Sequence, residues 1–306
     1  MKIFITGGLG FMGSVLAAKL AGQGRQVTVL THSPGKRRKI PDGVSVIAAD
    51  ATKPGAWQEA LAEHDAVINL AGVSIFARWT RQKKNAIYNS RMLITRNIVE
   101  AIKKIEGKKL DLLSASAMAY YGPHGDEPVT ESDGPGPERD FLTRVSRDWE
   151  AEAMKAEQYG ARVVITRFGV ILGTGGGAME VLALLFKLHL GNWLGSGRQW
   201  FSWIHADDLA SIFMFLLENK KIRGAVNCAA PNPVTNKKLT EELNRALGSF
   251  PLVPPAPGFV LNCVLGELGS FVLKGQRAVP RLLTDAGFNF AYPDLDKALS
   301  DILRQR

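Results

Sequence analysis

Short apolar runs alternate with longer amphipathic stretches through the first half of the chain. Lys2 to Thr6, Gln26 to Leu30, Val44 to Ala48, Ala66 to Leu70, Leu110 to Ser114 and Arg162 to Thr166 have the length and branching of strands. Helical patterns over Gly13 to Gln23, Arg91 to Lys104 and Asp148 to Gln158 fall between them. Strand and helix at that rhythm predict an α/β fold, a doubly wound parallel sheet with helices on both faces.

After Phe168 the regular alternation stops. Gly173 to Gly177 is a flexible loop, Trp193, Trp200 and Trp203 lie close in sequence, and Pro251 to Pro257 interrupts the chain. The expected division is a nucleotide-binding domain over 1–169 and a smaller, partly helical substrate domain over 170–306. The two interleave, because a strand near 225–230 reads as a return to the sheet. Val181 to Leu190 and Phe259 to Leu273 read as buried helices, since charges interrupt them short of the ~20 apolar residues that span a bilayer.

Composition narrows the classes. The 306 residues are 46% hydrophobic and 22% charged, which excludes disorder, collagen and coiled coil. Two cysteines, Cys228 and Cys263, lie too far apart for a metal motif and are too few for a disulfide framework, so a reducing compartment is expected. Ile3 to Ile5 is too short for a signal peptide, and a cytoplasmic location is expected. The net charge of +9 leaves a polyanion open, yet no nucleic-acid motif accompanies it, so neither nucleic acid nor membrane is an expected partner. The oligomeric state cannot be read from the chain.

The strongest chemical signal is Thr6-Gly7-Gly8-Leu9-Gly10-Phe11-Met12-Gly13 between the first strand and the first helix. Gly7 permits the tight turn, Gly10 a close approach of backbone to pyrophosphate, and Gly13 close packing of helix on strand. The helix N-terminus offers N–H groups to the anion. An acid at the end of the second strand would accept bonds from a ribose 2′-hydroxyl. Thr31-His32-Ser33 stands there instead, followed by Lys36-Arg37-Arg38-Lys39, a cluster that could pair with a 2′-phosphate. NADP is therefore favoured over NAD, the alternative being solvated cations and no discrimination at the 2′ position.

Asp50 after the third strand, Asn69-Leu70-Ala71-Gly72 after the fourth and Ser114-Ala115-Ser116 in the fifth, together with that glycine motif, resemble the extended short-chain dehydrogenase/reductase superfamily. Tyr120-Tyr121-Gly122, Arg167 to Gly173, Trp203 to Leu209, Pro233 to Asn236 and Arg277 to Phe288 are similar to its atypical, epimerase-like branch, sometimes labelled cell-division-inhibitor homologues. The resemblance covers essentially the whole chain. It implies a Rossmann-like domain holding NADP and a second domain closing over a small polar substrate. In that scheme Gly7, Gly10, Phe11, Met12 and Gly13 meet the pyrophosphate, Thr31, His32, Ser33 and Arg37 the adenosine ribose, and Asp50 and Ala51 the adenine. Leu70, Ala71 and Gly72 border the cofactor, and Arg167, Gly169 and Val170 lie near the nicotinamide.

One departure matters. The superfamily's usual Tyr-x-x-x-Lys pairs a phenol with a lysine that lowers its pKa and holds the nicotinamide ribose. Here the segment runs Phe141 to Glu150; with Arg147 at the lysine position, Thr143 stands where the tyrosine would be. Threonine is far too weak an acid for that role. Ser116 would then bind the reacting oxygen, Arg147 would hold the ribose with Glu150 placed to orient it, and Tyr120, Tyr121 or His124 would supply the proton. The alternative is a dinucleotide-binding sensor without turnover. His205, Asp207 and Asp208 are too few and too close in sequence for a metal site, and none is expected. Phe76, Arg78, Trp79, Trp193, Arg198 and Trp200 are candidates to face the substrate.

Overall fold

The structure is a computed structural model and describes residues 1–32, 40–105 and 107–304. Strands β1 (Lys2–Thr6), β2 (Gln26–Thr31), β3 (Val44–Ala48), β4 (Ala66–Asn69) and β5 (Asp111–Ala117) alternate with helices α1 (Phe11–Gly22) and α2 (Arg81–Lys103). A short strand β6 (Pro128–Val129) precedes α3 (Phe141–Met154), β7 (Arg162–Phe168), β8 (Val170–Leu172) and α4 (Ala178–Lys187). Next come β9 (Trp200–Phe201), β10 (Trp203–His205), α5 (Ala206–Glu218), β11 (Gly224–Cys228), β12 (Val234–Thr235) and α6 (Asn236–Leu247). The chain ends through α7 (Gly258–Leu265), α8 (Glu267–Val272), β13 (Arg277–Ala278), α9 (Arg281–Asp285) and α10 (Leu295–Arg304).

Among the described residues, seven strands form one parallel sheet in the order β11-β7-β5-β4-β1-β2-β3. The two-residue period of a strand distributes its side chains between two cores. Ile3, Ile5, Val27, Val29, Ala66 and Ile68 point to the layer of α1 and α5, against Leu16, Leu20, Leu209 and Phe213. Phe4, Leu30, Val67, Leu112 and Val163 point to the layer of α2 and α3, against Ile94, Ile98 and Ala153. Burial on both faces is why these strands read as continuous apolar runs. A third core, built on Trp203, Met179, Leu243 and Leu299, holds β10, α4, α6 and α10 together.

Three expectations from the pattern are corrected. Helix α2 begins at Arg81, capped by Thr80, whose hydroxyl accepts from Lys83 N at 3.1 Å. Its first turns are polar and solvent-facing, which hid their periodicity. Helix α3 begins at Phe141 rather than Asp148, with Phe141, Leu142, Val145 and Trp149 on its buried side. The runs around α4 and α7 are not buried helices. Val181, Leu184 and Leu188 are 59%, 59% and 55% exposed, and Phe259 and Val264 are 71% and 62% exposed. No helix among the described residues is long and apolar enough to cross a membrane.

Candidate functional site

The glycine turn leaves the C-terminal end of β1 and closes on the chain that leaves β4. A Cβ placed on Gly7, whose φ is +70°, would lie 2.9 Å from Ala71 Cα; one on Gly13 would lie 2.2 Å from Gly7 O. Gly8, a variable position in the motif, is as constrained, with a Cβ meeting Val29 Cγ1 at 2.3 Å. Backbone bonds from Gly10 N to Gly7 O (2.9 Å) and from Ser14 N to Gly10 O (3.0 Å) complete the turn. No side chain caps α1, and its first turn holds no acid. A helix end in that state presents its N–H groups and partial positive charge to an anion, so the residues present fit the pyrophosphate of a dinucleotide. Phe11 lies beneath the following loop, near Gly173 and Gly177, and Met12 is buried in the first core.

The flanks of the turn are polar and ordered. Thr6 Oγ1 donates to Asn69 Oδ1 (2.7 Å), and Asn69 Nδ2 donates to Thr95 Oγ1 (3.0 Å), which also accepts from Trp149 Nε1 (2.9 Å). This buried chain ties the ends of β1 and β4 to α2 and α3. Asp50 accepts from Thr52 Oγ1 (2.6 Å) and Thr52 N (3.0 Å), bonds that hold its carboxyl below the usual carboxylate range. Ala51 O accepts from Asn97 Nδ2 at 2.9 Å. Thr31 closes β2 beside Ala48 of β3, with His32 exposed just beyond. Ser33, Arg37 and the rest of the basic cluster lie outside the described residues. Leu70, Ala71 and Gly72 line the exit of β4, where Gly72 is exposed.

The catalytic candidates are distributed differently from the expectation. Ser116 is 2% exposed and donates to Glu150 Oε1 at 2.5 Å. Arg167, 4% exposed, spends Nε and Nη2 on the two Glu150 oxygens (2.9 and 2.8 Å) and Nη1 on the Tyr121 hydroxyl (2.7 Å). Tyr121, fully buried, donates to Asn227 Oδ1 (2.7 Å), and Asn227 Nδ2 donates to Val279 O (3.0 Å). One buried brace thus runs from β5 through α3, β7 and β11 to the segment before α9. Burial pushes the Tyr121 phenol up to about 12. Burial also opposes the charge of Arg167, but the Glu150 carboxylate outweighs it and holds the guanidinium above its ordinary value.

In this structure Ser116, Tyr121 and the side chain of Arg167 are members of a satisfied internal network. A hydroxyl beside a family motif looks the same in sequence whether it faces a cleft or a buried carboxylate. Glu150, read as an orienting group for Arg147, is the centre of this brace, and Asn227 escaped notice because its partner Tyr121 lies 106 residues away. Gly169 and Val170 belong to the crossing from β7 to β8, where a Cβ on Gly169 would meet Ser202 O at 2.9 Å.

Thr143 is 3% exposed and donates to Ala119 O at 2.9 Å. Arg147 pairs with Glu138 and, through Nη2 at 3.1 Å, with Asp148. It lines an open cavity of about 650 Å³ with Tyr121, Pro123 and His124, so three sequence candidates share one wall. His124 is exposed, and its Nδ1 lies 3.3 Å from Gly122 O. Tyr120 is half-buried; its ring packs edge-on against Tyr121 (5.4 Å) and under the Arg167 guanidinium (3.6 Å), while its hydroxyl makes no hydrogen bond among the described residues.

The remaining candidates scatter. Phe76, Arg78 and Arg198 are exposed; Trp79 donates to Ile75 O (2.8 Å), Trp193 lies under Lys237, and Trp200 donates to Asp126 Oδ1 (2.8 Å). His205 accepts from Asp207 N through Nδ1 at 3.1 Å, capping α5, and stacks 3.9 Å from Tyr292. Asp301 joins His205 and Asp207, with their ligand atoms within 4.8 Å, whereas Asp208 turns away to accept from Ala291 N and Tyr292 N.

The profile of the NAD dependent epimerase/dehydratase family matches residues 3–229, and that of a domain of unknown function, DUF1731, matches residues 256–302. The epimerase family protein YfhF of Bacillus subtilis (strain 168) is 38% identical over 306 residues, spanning 100% of this chain and 99% of the relative. The chloroplastic SDR39U1 homolog of Arabidopsis thaliana is 36% identical over 99% of this chain and 87% of its own. Among solved structures, human epimerase family protein SDR39U1 (isoform2) with NADPH is 31% identical, with a TM-score of 0.85 over 100% of both chains. The UDP-glucose 4-epimerase of Thermus thermophilus, in complex with NAD, shares the fold at 21% identity and a TM-score of 0.82, over 99% of this chain and 98% of its own. With a seven-stranded parallel sheet and matches over its full length, the chain belongs to the NAD dependent epimerase/dehydratase family.

Proposed function

We propose that this chain binds NADP across the C-terminal edge of its sheet and acts as an oxidoreductase or epimerase on a small polar substrate, as a cytoplasmic enzyme. The observation that carries the reading is the glycine turn, with Gly7 pressed against Ala71 and an uncapped, acid-free α1 behind it. The absence of an acid at Thr31 and His32 supports NADP over NAD, as does the NADPH in the human relative. A nicotinamide so bound supplies the hydride acceptor or donor. On this reading Gly10 to Gly13 meet the pyrophosphate and Leu70 to Gly72 border the cofactor. Segment 170–306 contributes substrate contacts.

Of the three proton-donor candidates, Tyr120 is the one we assign. Tyr121 has its proton committed to Asn227, and the Nδ1 of exposed His124 is turned to Gly122 O. A catalytically inactive NADP-binding sensor is the second reading, favoured by one observation. Both hydroxyls nearest the expected reacting position, Ser116 and Thr143, are buried and already donate to protein acceptors.

The test is a melting series with NADPH, NADP, NADH and NAD at equal concentration. A ligand at 100 times its Kd stabilises the folded state by about 2.7 kcal/mol. A shift with the NADP pair alone supports the reading, and no shift with any dinucleotide overturns it. Oxidation of bound NADPH in a carbonyl-substrate screen, followed at the reduced nicotinamide's absorbance, then separates enzyme from sensor.

A further inference from the structure

Helix α4 is apolar on both its inner and its outer side. Met179, Ala183 and Phe186 face inward and are buried with the third core. Val181, Leu184, Leu185 and Leu188 lie on the other side, and all four are exposed. Their spacing of i, i+3, i+4 and i+7 makes a single stripe, the pattern that a helix presents to a packing partner. The stripe continues onto a neighbouring loop. Leu252 N donates to His189 O at 2.9 Å, and His189 Nδ1 lies 2.8 Å from Phe250 O, which brings exposed Phe250 and Leu252 alongside the end of α4. These six side chains bare on the order of 600 Å², at the upper end of what a monomer leaves exposed and not far below the ~800 Å² that each partner gives to a stable interface.

The charges on α4 identify the occupant. The helix carries two, Glu180 in its first turn and Lys187 in its last, both exposed. Seven residues are close to two turns, so the pair lies on one line along one flank of the stripe. In two copies of α4 packed antiparallel about a two-fold axis, that flank meets itself in reverse, and Glu180 of each copy faces Lys187 of the other. The axis that makes both pairs passes midway between the two residues, close to Leu184, which is also the middle of the stripe. Val181 then meets Leu188 of the second copy. A lipid surface finds no such match, because α4 carries no net charge with which to select anionic headgroups.

We propose that α4 is the centre of a symmetric dimer interface, in which two copies of this chain pack antiparallel through the Val181 to Leu188 stripe, with a Glu180–Lys187 pair at each end. Such a contact is isologous and closes on itself, so it stops at two copies. It also reaches the glycine turn. Helix α4 leaves the loop whose Gly173 and Gly177 press on Phe11, where a Cβ would stand 3.1 and 2.9 Å from ring carbons. A second copy that holds α4 therefore holds the loop packed on the first residue of α1.

The experiment is sedimentation equilibrium of the full chain across about 1–100 µM, with circular dichroism to confirm that each variant is folded. The substituted side chains are exposed, so the fold is expected to survive. The unmodified protein should sediment as a dimer in the upper part of that range and Leu184→Glu as a monomer throughout. Glu180→Lys and Lys187→Glu each set like charges together at both ends and should each weaken the dimer at least fivefold. The double variant restores opposite charges in exchanged positions and should return to within about twofold of the unmodified protein. That recovery tests the antiparallel register itself, because general loss of surface charge or of apolar area would not produce it. A protein monomeric at every concentration, a dimer indifferent to Leu184→Glu, or a double variant no better than the single ones would overturn the proposal. So would a monomer that co-floats with phosphatidylcholine–phosphatidylglycerol vesicles, which would assign the stripe to a bilayer instead.

Discussion

Replacing Glu150 by Gln probes the brace at its centre. The carboxylate accepts from Ser116 Oγ, Arg167 Nε and Arg167 Nη2 at 2.5, 2.9 and 2.8 Å, with all three residues under a tenth exposed. The amide keeps the volume but removes the charge, leaving the Arg167 guanidinium buried against a neutral group with only one accepting oxygen. Breaking a buried pair from one side costs about 3–5 kcal/mol, because the surviving charge is uncompensated. For a chain of this size roughly 2 °C of melting temperature corresponds to each kcal/mol, so the expected drop is about 6–10 °C.

Arg167→Met should cost a similar amount by stranding the carboxylate. Joining it to Glu150→Met should cost far less than the sum, because no charge remains; what is left is the Ser116 hydroxyl without its acceptor and the Tyr121 oxygen without the Arg167 donor, about 1–3 kcal/mol each at most. Urea or thermal denaturation of the unmodified protein, Arg167→Met, Glu150→Met and the double variant measures the coupling directly. A coupling energy of about 2 kcal/mol or more is expected. Additivity within about 0.5 kcal/mol would refute the claim that these groups form one unit.

Other outcomes follow from the same geometry. Gly13→Ala forces a Cβ to within 2.2 Å of Gly7 O and should abolish the melting shift with NADPH, whereas Gly22→Ala, with open space at its Cβ, should leave it intact. Tyr120→Phe should lower turnover at least tenfold with little change in melting temperature. Tyr121→Phe should do the reverse, destabilising by about 1–3 kcal/mol through the unpaired Asn227 and Arg167 groups. Burial depresses the folded-state pKa of His205 below its ordinary 6.5, so its contribution is complete above that value and is lost as pH falls through the folded value. Melting temperature should therefore decline below pH 6.5 more steeply than in His205→Asn, which keeps a cap acceptor for α5. Thr143→Tyr should not restore a conventional site and should cost about 1–3 kcal/mol by overpacking, read from denaturation with turnover measured in parallel.

The sheet was legible because its strands are buried on both faces, and continuous apolar runs such as Ile3 to Ile5 and Ala66 to Ile68 admit few other readings. The glycine turn was legible because Gly13 is dictated by a local contact with Gly7 O and Gly7 by its own positive φ of +70°. The start of α2 was not, since Arg81 to Lys84 face solvent and carry no apolar stripe. Nor was the exposure of Val181, Leu184 and Leu188, because the same spacing describes a helix packed on a core and one left bare on its outer side. Ser116, Tyr121 and Arg167 were placed at the site through motif position alone. What decides their role is a set of partners from α3 and β11, brought together by long-range topology that no local pattern encodes.

The neighbourhood of Thr143, where the resemblance expects a tyrosine, is crowded by backbone. Gly122 takes a φ of +67°, and a Cβ there would meet Pro137 Cδ at 3.1 Å and Thr143 Oγ1 at 3.4 Å. Gly136 is pressed against Tyr121 O, where a Cβ would lie at 2.3 Å. Backbone thus packs closely beside this small side chain, and Thr143 donates its hydroxyl to Ala119 O. The loop from Gly134 to Pro137 also walls the cavity beside His124 and Arg147. On the enzyme reading proposed above, the proton then passes through Tyr120, whose hydroxyl is unbonded among the described residues; on the sensor reading, the Glu150–Arg167 brace holds the proposed dinucleotide-binding cleft in a single shape.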